Sequence, residues 1–146
     1  MSDPKQLAKV LTLVEQELEQ TSLHLRSANS AVAALKQQMQ QLQDYRLDYV
    51  RQAQQKQGAV LQAGEYQQFH HYIAKLDAAI TQHIGKIRQA EQAAQQRQQQ
   101  WQACHQRQQA IALLINKAQQ QQRLRADKAL QRDLDEFSLQ QFIRRR

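Results

Sequence analysis

Few side chains in this sequence are of a type that performs chemistry, and their spacing argues against a reaction centre. Histidines stand at positions 24, 70, 71, 83 and 105, and one cysteine stands at 104. A bound metal needs ligands that converge. His70 and His71 are adjacent and project to different sides of a helix, while His24, His83 and His105 complete no recognisable ligand set. There is no glycine-rich phosphate loop and no G-x-S-x-G nucleophile turn. The expectation is a protein that is not an enzyme and uses no metal or cofactor. What remains is charge, with 20 Lys and Arg against 13 Asp and Glu, a net +7. The segment 116–146 carries eight basic and four acidic residues, so +4 of that total lies there, including Arg123, Arg125, Arg132 and the run Arg144, Arg145, Arg146. Such a segment offers electrostatic attachment to an acidic surface. Nucleic acid is the less favoured partner, because the basic residues are not laid along one face with stacking aromatics between them.

The elements that must carry these groups are helices. From Leu7 to Ala53 apolar or large residues recur at alternating steps of four and three for seven heptads. One row is Leu7, Val14, Thr21, Ala28, Leu35, Leu42 and Tyr49; the other is Leu11, Leu18, Leu25, Val32, Met39, Arg46 and Ala53. A period of 3.5 held this long marks a helix whose narrow seam winds against another helix. A second stretch answers it, with Tyr66, Ile73, Ile80, Ile87, Ala94, Trp101, Gln108 and Ile115 in one row and Phe69, Leu76, His83, Ala90, Arg97, Cys104 and Ile111 in the other. Folded back antiparallel, facing residues have numbers summing to about 122. Small residues then meet large ones, as Ala53 with Phe69 or Thr21 with Trp101. The polar layers, Arg46 with Leu76, Met39 with His83, Leu25 with Arg97 and Val14 with Gln108, fix the register at some cost in stability.

The fold class expected is therefore all-α, a long antiparallel two-helix coiled-coil hairpin with a C-terminal helical overhang. Asp3 and Pro4 read as N-cap and first helical residue. Helix 1 is expected over about 4–57, a turn over about 58–64 between Gly58 and Gly64, and helix 2 over about 65–140, all in one domain. Beyond Ile115 the second helix outruns the first, yet Leu124, Leu130, Leu134, Phe137, Leu139, Phe142 and Ile143 are still to be covered. That segment is either a partner-binding helix or one that orders on binding.

Composition sets the bounds. By count 34 residues are Gln, which alone would suggest a disordered polar tract. Gln, Ala, Leu, Lys and Glu are also good helix formers, and the Gln runs fall mostly outside the seam, so an extended helical protein is expected. Three Gly, one Pro, three Phe and one Trp are too few for a sheet or a thick core. The longest apolar run, Ala110–Ile115, is far short of the roughly 20 residues a membrane span requires. A single cysteine and no signal-like opening point to the cytoplasm.

Particular residues go further than the pattern. The stretch from Phe69 through His70, His71, Tyr72 and Leu76 to His83, the set Leu42, Tyr45 and Tyr49, Trp101, the run Ala112–Lys117 and the run Leu134–Phe137 resemble the flagellar FliJ family in order and spacing. The resemblance implies a small coiled-coil component of the flagellar type III export apparatus. It further implies that the chain engages the hexameric export ATPase as a stalk-like element, the cytoplasmic domain of the export-gate membrane protein, and export chaperones. A cytoplasmic location peripheral to the inner membrane at the flagellar base follows from the same resemblance, with no nucleic acid involved. The positions matching the family's gate-binding stripe are Tyr72, Leu76, Ala79 and His83. Their spacing of four, three and four puts them on one side of a helix. Leu76 and His83 also occupy seam positions, whereas Tyr72 and Ala79 lie off the seam and are expected at the surface. Arg123, Arg125 and Arg132 are the residues expected to meet the ATPase ring. The alternatives are a structural homo-oligomeric coiled coil and a basic nucleic-acid-binding module, the latter marked by a steep loss of affinity with salt.

Overall fold

A computed structural model describes residues 3–56 and 63–145. Two helices account for nearly all of them, α1 over Pro4–Gln55 and α2 over Ala63–Arg144, and no strand occurs among the described residues. The start of α1 is built as the sequence requires. The Asp3 carboxylate accepts a hydrogen bond from the Lys5 N–H at 3.2 Å, and its carbonyl accepts one from the Leu7 N–H at 3.0 Å. Pro4 takes the first helical position, where a missing N–H leaves nothing unpaired. Helix α2 places Glu65 in its first turn and Arg144 in its last, each charge opposing the partial charge of its helix end.

Of the expected turn, Gly58 and residues 59–62 lie outside the described residues. Gly64 does not belong to a turn. It sits in the first turn of α2 with no left-handed φ, where the helix accommodates a glycine at little cost. Helix α2 also runs on to Arg144 rather than stopping near 140, and the segment beyond Ile115 is helical. Nothing in 116–143 interrupts it, for the sequence there holds neither Gly nor Pro.

By internal contacts the chain divides into two units, Thr21–Trp101 and Met1–Gln20 with Gln102–Arg146. In the Thr21–Trp101 unit the cross-helix contacts fall in number along α2 as they rise along α1. Arg97 meets His24, His83 meets Leu35, Asp77 meets Arg46, Tyr72 meets Tyr45 and Phe69 meets Tyr49. The two helices therefore run antiparallel there, with facing numbers summing to between 117 and 123 for these pairs. In the other unit, Cys104 donates its S–H to the Val14 carbonyl at 3.7 Å, and Arg107 pairs with Glu17 at 3.3 Å. A helical carbonyl points along the axis toward the C-terminus. Contacts to the carbonyls of Leu35 and Val14 thus sum to 118 while the backbones sit nearer the expected 122.

The seam is thin. All fourteen α1 positions in the two rows are buried or half-buried, as are all of the α2 positions except Tyr66 and Arg97. The most buried apolar residues described are Val14, Met39, Leu76, Ala94 and Cys104, joined by His83. The polar seam residues find partners: Arg46 forks onto Asp77 at 2.6 and 3.4 Å, and the His83 ring nitrogen Nε2 lies 2.8 Å from the Leu35 carbonyl. Arg97 turns outward to Gln100 and His24. Ion pairs Lys36–Glu91 and Arg46–Asp77 flank the seam of this unit. Exposed pairs of this kind add little to stability, so they select a register more than they stabilise it.

Candidate functional site: an aromatic edge and a bare basic helix

The proximal part of α2 meets the C-terminal part of α1 through rings. Phe69 stacks on Tyr49 with centroids 5.4 Å apart, and Tyr72 lies tilted against Tyr49 at 4.5 Å. The Tyr72 hydroxyl donates to the Tyr45 hydroxyl at 3.0 Å. That hydrogen bond, then burial, holds the Tyr72 phenol above its ordinary range. Tyr45 keeps 54% of its surface exposed, so the cluster has a packed inner side and an accessible edge. One turn before Phe69, Tyr66 is 57% exposed and meets the His70 ring edge-on at 4.2 Å. Amphipathic rings of this kind suit a protein-recognition surface, since they supply contact area at low entropic cost.

The expected stripe divides across this geometry. Leu76 and His83 are buried in the seam at 8% exposure each. Tyr72 and Ala79 do not stand at the surface as expected; both are half-buried. They sit on the shoulder of the seam, and in a two-helix structure a large ring at a shoulder position folds over its neighbour to shed water. Tyr45 and Tyr49 were not assigned by sequence, although a signal was present. They are one turn apart on α1, and the summing rule puts Tyr45 opposite Asp77 and Tyr49 opposite Ile73, next to Tyr72. Beside the cluster, Arg46 and Asp77 make the closest cross-helix ion pair described. The Arg46 guanidinium holds the Asp77 carboxyl below its usual range, and Asp77 in turn raises Arg46.

Farther along α2 the surroundings change. Ala118 is half-buried, and every described residue from Gln119 to Arg145 is exposed. Arg123, Arg125 and Arg132 are among them, and no carboxylate engages any of the three among the described residues. Arg125 and Arg132, seven residues apart, share one side of the helix, while Arg123 points elsewhere. The arginines are thus distributed around the helix instead of gathered on one face. No group of three or more metal-binding side chains occurs among the described residues, and no helix there is long and apolar enough to cross a membrane.

Among the described residues the arrangement brings together no convergent set of groups for bond-making and leaves exposed apolar and charged surface. Compared with known proteins, residues 4–146 match the model of the family described as Flagellar FliJ protein. No curated protein and no solved structure matches the chain.

Proposed function

Because the chain belongs to the flagellar FliJ family, whose members serve flagellar export, we propose that it is a non-enzymatic accessory of the export ATPase. In this reading the segment of α2 beyond Ala118 is an overhang that enters the hexameric ring and stimulates ATP turnover. The aromatic edge of Tyr45, Tyr72 and Ala79 docks on the cytoplasmic domain of the export gate, with Leu76 and His83 holding it from behind. Export chaperones are further partners, and the protein works in the cytoplasm, at the inner membrane only through those partners.

The observation that carries this reading is the continuous exposure of 119–145 on an 82-residue helix. Ring loops must hold an inserted helix without locking it, which favours basic and modest apolar contacts spread around the helix over one large dry patch. Arg123, Arg125, Arg132, Leu124 and Leu139 are spread in that way.

The test is ATP turnover by the purified export ATPase with and without this chain. Reversal of Arg123, Arg125 and Arg132 to Glu together should reduce stimulation several-fold at low salt and less at high salt, because exposed charges are screened. Undiminished stimulation by the triple variant at low salt removes these arginines from the interface.

A further inference from the structure

Beyond Ala118, α2 carries a second apolar row distinct from the continuation of the seam. Leu130, Leu134 and Phe137 follow at steps of four and three and are 60%, 51% and 58% exposed. The same steps extend the row to Asp127 on one side and to Gln141 and Arg144 on the other, all exposed. Arg125, Ala129, Arg132, Leu139 and Ile143, which continue the seam, lie on roughly the opposite side of the helix. The row is short, bounded by opposite charges, and uncovered among the described residues.

We propose that this row is a self-association surface, on which the same row of a second copy lies antiparallel with facing numbers summing to 271. Leu134 of one copy then packs on Phe137 of the other, Leu130 on Gln141, and Asp127 pairs with Arg144. Each layer occurs twice about a two-fold axis, as a symmetric pair of identical surfaces requires. Charge decides the direction. A parallel pairing sets Asp127 against Asp127 and Arg144 against Arg144, which like-charge repulsion disfavours. The neighbouring antiparallel register, with a sum of 264, buries the Asp127 carboxylate against Phe137 and leaves it unpaired, a costly arrangement. With the sum of 271 the flanking positions are also compatible, Asp133 falling beside Gln140 and Gln131 beside Ser138. Three apolar side chains per copy make a small interface, so the dimer is weak and reversible. This surface goes beyond the export reading; Arg125 and Arg132 lie off it, while Arg123, four residues before Asp127, stands on the same side of the helix outside the paired layers.

The experiment is sedimentation equilibrium of the full chain from micromolar to near-millimolar concentration. The average mass should climb from monomer toward dimer. Leu134→Glu should raise the dissociation constant at least tenfold, a change of about 1.4 kcal/mol, with helicity by circular dichroism unchanged. Asp127→Arg alone should weaken the dimer about fivefold, and Asp127→Arg with Arg144→Asp should restore it. A chain that stays monomeric throughout, leaving the row to another partner, overturns the proposal. So does association untouched by Leu134→Glu, or a charge swap that fails to restore what the single reversal lost. Because the readout is mass and not ATP turnover, these outcomes are separate from those that test the export reading.

Discussion

Tyr72 carries two duties on one side chain. Its ring covers Tyr49 and its hydroxyl donates to Tyr45, so its removal should be felt first in stability. Tyr72→Ala should lower Tm by several degrees, while Tyr72→Phe, which keeps the ring, should leave Tm nearly unchanged. Thermal melts by circular dichroism decide this, and equal loss in both variants would assign the stabilisation to the hydroxyl. Its neighbour Asp77 makes a second prediction. Its carboxyl is depressed in the folded state by the hydrogen bond from Arg46, so its contribution is fully present above the ordinary carboxylate range near about pH 4. That contribution is lost as pH falls through the depressed value. Asp77→Asn should therefore melt slightly below the parent at pH 7, with the gap closing in acid; a gap that widens in acid contradicts the assignment. Burial was legible from steps of four and three at every seam position but Tyr66 and Arg97, down to Cys104, 2% exposed. What periodicity missed was Tyr72 and Ala79, because it marks the seam and says nothing of how far a ring on its shoulder leans in.

At the scale of elements, both helices are long and mostly solvated, so intrinsic propensity counts along their length. Gly85 lies in the interior of α2, exposed, and a Cβ placed there meets nothing within 4 Å. Gly85→Ala should stabilise the protein by about 1 kcal/mol, through helix propensity and a less free unfolded chain. Chemical denaturation measures it, and a loss of stability would mean that this face of α2 is covered by something. The start of α1 was legible because Asp3 and Pro4 carry a physical mechanism for starting a helix. The boundary at Gly64 was not, since glycine marks a turn only where the backbone adopts a conformation other residues avoid, and here it does not.

For the whole molecule, a polar composition rich in Gln conceals an ordered two-helix structure, and the order comes from register. Polar seam residues answered by Asp77, the Leu35 carbonyl and His24 bias the pairing toward one alignment. Membership of the flagellar FliJ family was legible through the residues that resemble it; the distribution of the arginines of 116–146 around the helix required the folded geometry. In the proposed function the exposed end of α2 acts on the export ATPase. The most direct measurement is ATP turnover by that enzyme in the presence of a chain lacking residues 119–146. Every buried seam position lies before the cut, so the shortened chain should keep its cooperative melt and lose its stimulation of turnover. A shortened chain that melts as expected and stimulates as strongly as the intact protein would contradict the account.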